Sequence, residues 1–179
     1  MERIYVIAGK ARHGKDTTAL AIKKAYKDKK VINLAYGNYI KEFAKKISGW
    51  DGSEEGKPRE LLQTLGTDIV RDKIDKDFFV KRLCDDIKVY SYYFDIITIS
   101  DARFPNEIEF PKKLFDKVIS IKVIRTNFKS PLTKKQQNHP TEIALDNYDN
   151  FDFILENDKT IADLEKKVQD IVKKVEHEY

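Results

Sequence analysis

The sequence predicts an α/β protein whose five parallel strands form one sheet with helices on both faces. Three observations predict it. Short apolar runs rich in β-branched residues alternate with longer stretches whose apolar residues recur at helical spacing. Strands separated by helices imply parallel pairing, and right-handed crossovers then wind the sheet in both directions. The polar clusters fall just after strands, where ligands bind in such sheets.

Ile4 to Ala8 is the first strand. Gly9-Lys10-Ala11-Arg12-His13-Gly14-Lys15-Asp16-Thr17 follows it, and a helix runs from Thr17 to Tyr26 with Leu20, Ile22, Ala25 and Tyr26 on its apolar side. Strand, glycine loop and helix are the setting of a phosphate-binding loop. Gly9 and Gly14 open backbone conformations closed to other residues, so that loop N–H groups close around phosphate oxygens. The helix N-terminus adds partial positive charge beneath the anion. Lys15 supplies an ammonium for the outer phosphates. Asp16 stands where a hydroxyl usually follows the lysine, so Thr17 is the expected Mg²⁺ ligand. Arg12 is a candidate phosphate contact, and His13 reads as a solvated loop residue.

Val31 to Ala35 is the second strand, and Tyr39 to Ile47 a short helix with Ile40, Phe43, Ala44 and Ile47 on one face. Ser48 to Gly56 is a polar loop anchored by Trp50. Pro58 suits a first helical position, and Leu61, Leu62, Leu65, Ile69 and Val70 share a face of the helix that follows. Another helix begins near Lys76 or Asp77 and carries Phe79, Val80, Leu83, Cys84, Ile87 and Tyr90. Asp95 to Ser100 is a buried strand, Pro105 to Phe115 a helix capped by Asn106 and Glu107, and Val118 to Ile124 the next strand. Arg125 to His139 is basic and polar and lacks a clear apolar face, which fits an ordered loop or a mobile lid. Thr141 to Leu145 fits one or two helical turns. Asp152 to Leu155 is the last strand, and an amphipathic helix from Asp158 carries Ile161, Leu164, Val168, Ile171, Val172 and Val175.

At 179 residues the chain fits one domain with a sizeable core. Its net charge of +4 suits an anion binder and decides little more. No apolar run approaches the ~20 residues of a membrane span. One cysteine, Cys84, excludes an internal disulfide and fits a reducing cytoplasm. No cysteine–histidine cluster offers a zinc site, no Asn-Lys-x-Asp segment reads guanine, and no nucleic-acid recognition motif is present.

Asp101 follows the third strand and Arg103 lies two residues on. A carboxylate there holds Mg²⁺ or orients a nucleophile, and the arginine serves a phosphate. Arg59, Gln63, Thr67 and Arg71 recur every four residues and so share a helix face, opposite the leucines. A solvated polar stripe and a second anion site both fit that spacing. Tyr36, Tyr39 and Trp50 fit either stacking on a base or core packing.

Four segments resemble the deoxynucleoside monophosphate kinases of phages and their bacterial relatives: residues 9–18, 57–68 (Lys-Pro-Arg-Glu-Leu-Leu-Gln-Thr-Leu-Gly-Thr-Asp), 99–107 (Ile-Ser-Asp-Ala-Arg-Phe-Pro-Asn-Glu) and 139–142 (His-Pro-Thr-Glu). The resemblance implies a P-loop kinase fold with core 1–36, 94–125 and 150–179, an acceptor-binding helical region 37–93 and a lid 126–149. It implies transfer of the γ-phosphoryl group of ATP to a deoxynucleoside 5′-monophosphate, with Mg²⁺. On it, Lys15, Asp101 and Arg103 would be catalytic. Gly9, Arg12, Gly14, Lys15, Asp16, Thr17 and Thr18 would bind ATP, with Arg125 and the backbone at Asn157, and Thr17 and Asp101 would hold the metal. Lys41, Arg59, Gln63, Asp68, Arg71, His139 and Glu142 would face the acceptor. The lid cations would be Arg125, Lys129, Lys134 and Lys135.

Small nucleotides are the expected partners, without membrane or nucleic acid, and a homodimer is left open. The expected location is the cytoplasm. The rival readings are a kinase of another phosphorylated acceptor, of phosphomevalonate or dephospho-coenzyme A type, and a non-catalytic nucleotide-binding regulatory module.

Overall fold

In the computed structural model, which describes residues 1–178, strands β1 (Arg3–Ala8), β2 (Val31–Leu34), β3 (Ile96–Ala102), β4 (Val118–Ile124) and β5 (Phe153–Glu156) form an all-parallel sheet. Their order is β2-β3-β1-β4-β5. The helices are α1 (Lys15–Ala25), α2 (Gly37–Ser48), α3 (Arg59–Gln63), α4 (Phe78–Tyr90), α5 (Pro105–Leu114), α6 (Lys134–Gln137), α7 (Pro140–Ile143) and α8 (Ile161–Glu178). The expected α/β sheet is therefore present.

Alternate residues of β1 face opposite sides, as the pleat dictates. Tyr5 and Ile7 join Ile22 of α1 and Leu164, Val168 and Ile171 of α8 in one core. Ile4 and Val6 join Val80, Leu83, Cys84 and Ile87 of α4 and Ile108 of α5 in the other. A strand buried on both faces has to be apolar throughout, which is why β1 reads as a continuous run. Neighbours β1 and β3 send their connections in opposite directions, to β2 and to β4. The loops after them open into the crevice where such sheets bind ligands.

Several local expectations are corrected. The strand read as ending at Ser100 continues to Ala102, so Asp101 lies inside β3. Helix α1 begins at Lys15, two residues before Thr17. Phe43 and Ile47 of α2 are exposed, as are Leu20 of α1 and Ile161 of α8, because these sides of the helices face solvent rather than the sheet. Pro58 precedes α3 rather than opening it.

The largest correction follows α3. Residues Thr64–Ile74 continue it as a π-helix, and at its end the Asp75 N–H donates to Val70 O at 2.9 Å, five residues back. Leu62 lines the cleft and Ile69 is 37% exposed, so the expected leucine face is split. Gly66 lets Ile40 of α2 come close, since a Cβ there would stand 2.8 Å from Ile40 Cδ1. Among the described residues no helix is long and apolar enough to cross a membrane.

Candidate active site

The loop after β1 is shaped by its neighbours as much as by its own glycines. Gly9 has φ +151°, and a Cβ there would meet the Val123 backbone oxygen at 2.6 Å. Gly14 has φ +103°, and a Cβ there would overlap the Asn157 amide. That amide donates from Nδ2 to His13 O at 2.9 Å, while Asn157 N–H donates to Ile124 O at 2.7 Å. Asn157, just past β5, thus braces the loop with its side chain.

Lys15 is 8% exposed, and its Nζ donates to Lys10 O at 2.9 Å. Burial, and after it the nearby Arg103 guanidinium, pushes the ammonium down to about 8. Thr18 is fully buried, and its hydroxyl donates to Gly14 O at 2.9 Å. His13 Nδ1 accepts from Arg125 N–H at 3.3 Å, and burial holds its imidazole below the usual value. Arg125 is exposed and stacks 4.6 Å above the Phe128 ring.

A cleft of about 640 Å³ opens beside the loop. Ala11, Arg12, Lys15 and Asp16 form one wall. Ser100, Asp101, Arg103 and Glu107 form its floor. Lys41, Arg59, Gln63, Thr67 and Arg71 form the facing wall, and Leu132, Gln136, Thr141 and Glu142 lie over the top.

The floor is held by backbone donors. Asp101 Oδ1 accepts from Tyr36 N–H at 2.9 Å and Oδ2 from Gly37 N–H at 2.8 Å, tying the start of α2 to β3. Burial pushes its carboxyl up, against these two N–H groups and the charges of Arg103 and Lys15. Glu107 Oε2 accepts from Arg103 N–H at 2.6 Å and Phe104 N–H at 3.1 Å, and burial raises this carboxyl to about 7. On the facing wall the Arg71 guanidinium stacks 3.7 Å over Phe104. It donates to Asn106 Oδ1 at 3.0 Å and to Lys76 O at 3.1 Å, so Asn106 holds an arginine instead of capping α5.

The structure brings most of the sequence candidates together: Arg12, Lys15, Asp16, Lys41, Arg59, Gln63, Arg71, Asp101, Arg103 and Glu142 all line this cleft. It places others elsewhere. Asp68 is exposed, on the far side of the π-helix. His139 is the N-cap of α7, its Nδ1 accepting from Thr141 N–H at 3.3 Å. Because α1 starts early, Asp16 faces the cleft and Thr17, about 100° further round the helix, does not line it. Of the expected lid cations, Lys135 pairs with Glu60 at 3.3 Å, and neither it nor Arg125, Lys129 or Lys134 lines the cleft. Tyr36 borders the cleft but is 3% exposed with its hydroxyl on Glu107 O, and Tyr39, off the cleft, bonds Asp86 and stacks on Phe79, so both rings pack against the core. Trp50 lies off the cleft, closing its own loop through Ser53 O at 2.9 Å.

Glu107 and Phe104 were missed as site residues, although they share the segment 99–107 that carries Asp101 and Arg103. Thr67 was noted only for its spacing, and burial at 5% exposure distinguishes it from Asp68 beside it.

Among the described residues no three His, Cys, Asp or Glu side chains gather as a protein-only metal cage. Mg²⁺ needs none, being held by one or two carboxylates with phosphate oxygens and waters. Asp16, whose Oδ1 accepts from the Ser100 hydroxyl at 2.9 Å, and Asp101 supply such oxygens at the junction of loop and floor, so the donors present fit the ion.

Residues 38–168 match the family described as deoxynucleotide monophosphate kinase. The chain belongs to that family. The match begins after the phosphate loop and so does not rest on it. A protein of Acanthamoeba polyphaga mimivirus named "Putative deoxynucleotide monophosphate kinase" is 30% identical over 122 residues, covering 62% of this chain and 58% of that protein. The aligned part therefore spans less than two thirds of that relative's length.

Solved structures share the architecture across nearly the whole chain. A sugar kinase from Janibacter sp. HTCC2649 gives a TM-score of 0.60 at 12% identity over 97% of this chain and 95% of that one. Shikimate kinase from Aquifex aeolicus gives 0.53 at 14% over 99% of each. Dephospho-CoA kinase from Campylobacter jejuni gives 0.52 at 12% over 97% of each. These likenesses establish the P-loop kinase fold.

Proposed function

We propose that the chain transfers the γ-phosphoryl group of ATP to a deoxynucleoside 5′-monophosphate, giving ADP and the deoxynucleoside diphosphate. One observation carries the reading: Lys15 and the guanidinium groups of Arg59, Arg71 and Arg103 line one continuous cleft. Hydrolysis of ATP calls for a single anion site, whereas a phosphorylated acceptor calls for a second one facing it. Family membership supports the class of acceptor.

In this reading the loop amides and Lys15 take the β- and γ-phosphates, with Arg12 beside them. Arg125 and the backbone at Asn157 would contact the donor nucleotide. Lys41, Arg71 and Arg103 take the acceptor phosphate, and Arg59, Gln63 and Thr67 face its nucleoside. Residues 37–93 then serve as the acceptor arm and 126–149 as the lid, on a core of 1–36, 94–125 and 150–179.

The acceptor phosphate is already ionised, so no base need remove a proton. One of its oxygens attacks the γ-phosphorus in line, the bond to the β–γ bridging oxygen breaks, and ADP leaves with the electron pair. Lys15 and Arg103 are placed to neutralise the charge that spreads over the transferring group, which is where most of the catalysis of phosphoryl transfer lies. Bound Mg²⁺ would neutralise further charge on the β- and γ-oxygens, and Asp16 and Asp101 would hold it. Closure of 126–149 would exclude water, whose attack on ATP is the competing reaction. A nucleotide substrate and one thiol, Cys84, fit a cytoplasmic setting.

The test is ADP formation with each common deoxynucleoside monophosphate and its ribose counterpart. Acceptor-dependent ADP with at least one deoxynucleotide is expected. ADP at the same rate without any acceptor would contradict the reading.

A further inference from the structure

Glu142 has contacts that acceptor binding does not explain. Its side chain is 8% exposed beside a site meant for anions, where an unpaired carboxylate would be strongly disfavoured. It is paired twice. Oε1 accepts from Arg103 Nη1 at 2.8 Å, and Oε2 accepts from the Ala11 N–H of the phosphate loop at 2.9 Å. Arg103 Nη1 also reaches Thr141 O at 3.4 Å, while Glu107 fixes the Arg103 backbone N–H from the other side. Each oxygen of Glu142 thus accepts from a protein donor, and its charge opposes that of any phosphate.

Resting on the kinase reading above, we propose that Glu142 is a positioning residue, which holds the Arg103 guanidinium against the phosphate loop so that donor and acceptor meet a cation already in place. Arg103 Nη1 is engaged, and the rest of the guanidinium, on a side chain 22% exposed, remains available to the cleft. An arginine held before substrate arrives has less freedom to lose at the transition state. Glu142 sits on α7, at the end of the lid region, so the same contact passes the lid's position to Arg103.

A double-mutant cycle on Glu142→Gln and Arg103→Ala tests it. Glu142→Gln is expected to lower kcat about 30- to 100-fold, as misplacement of a catalytic group does. The KM for ATP should change less than about threefold, with melting near that of the wild type. Glu142→Asp, which keeps the charge, should recover part of the rate. Added to Arg103→Ala, Glu142→Gln should cost nothing further. Losses that multiply in the double variant, or a raised KM for ATP with kcat intact, would overturn the proposal. If Glu142→Gln does not fold, Glu142→Ala runs the same cycle. Guanidinium ¹⁵N spectra give a readout that needs no turnover: hindered rotation of Arg103 in the wild type and free rotation in Glu142→Gln are expected, and identical spectra would overturn it. A wild type with hindered Arg103 but no acceptor-dependent ADP would instead sink the kinase reading.

Discussion

The two walls of the cleft are built by different means. The donor wall is backbone: a turn whose Gly9 and Gly14 leave no room for a Cβ, braced by Asn157, with Lys15 folded beneath it. The acceptor wall is side chains on α2, α3 and the π-helix that continues it, with Arg59 exposed, Gln63 half-buried and Arg71 held by Phe104 and Asn106. On the proposed function, the triphosphate is the same in every turnover, and an amide cradle fixed in shape suits it. The nucleoside would have to be told from its relatives, and that takes side-chain chemistry. π-Helical turns are rare and concentrate at functional sites, and this one lines the cleft through Gly66, Thr67 and Arg71.

Removing the donor cation should produce the largest effect. Lys15→Met is expected to lower kcat by about a thousandfold or more while the fold survives, because it deletes transition-state charge stabilisation and a buried ammonium together. Retained turnover in a folded variant would mean that the loop is not the donor site.

Alanine in place of glycine on each wall sharpens the contrast. Gly9→Ala drives a Cβ to 2.6 Å from a β4 backbone oxygen at positive φ, and neither can give way; a loss of about 2–4 kcal/mol is expected. Gly66→Ala meets only the tip of Ile40, 2.8 Å away, and should cost under about 1 kcal/mol while raising the acceptor KM. Melting curves of the pair check this, and equal losses would erase the distinction.

Arg71→Lys keeps the charge but loses the stack on Phe104 and the forked donors. The acceptor KM should rise about tenfold with the ATP KM unchanged. Equal shifts in both would remove Arg71 from the acceptor side.

The smallest effect is one of pH. Burial lowers the Lys15 ammonium from 10.5 to about 8, and bound phosphates favour its charged form. Donor binding should therefore take up a proton in the window above pH 8 and below 10.5, and ATP affinity should fall as pH rises through 8, by at most about tenfold per unit. Folding has the opposite sign: the penalty for burying the ammonium is full below pH 8 and fades as pH rises towards 10.5, so this contribution to stability improves over the window in which ATP affinity falls. Calorimetry in two buffers of different ionisation heat measures the uptake, which Lys15→Met should abolish.

What was legible in the sequence followed the range of the forces involved. Strands β1 and β4 and the phosphate loop declare themselves locally, as apolar runs ended by glycine or polar residues, and the cleft floor at Asp101 and Arg103 follows from being next to a strand end. The π-helix is not legible, because Gln63, Thr67 and Arg71 keep a spacing of four residues that an α-helix also has. Which of Asp16 and Thr17 lines the cleft depends on where α1 begins, and it begins two residues before Thr17. Asp68 and His139 look like their neighbours in sequence, and only burial and capping separate them from the cleft. The pairing of Glu142 with Ala11 and Arg103 spans 131 and 39 residues, and no local pattern encodes it.

The central claim is that two anion sites face each other across one cleft. A compound joining adenosine and a deoxynucleoside 5′ to 5′ through a polyphosphate chain measures it directly by calorimetry. Binding about a hundredfold tighter than ATP, weakened by Lys15→Met and by Arg71→Ala alike, is predicted. An affinity equal to that of ATP and indifferent to Arg71 would contradict the account.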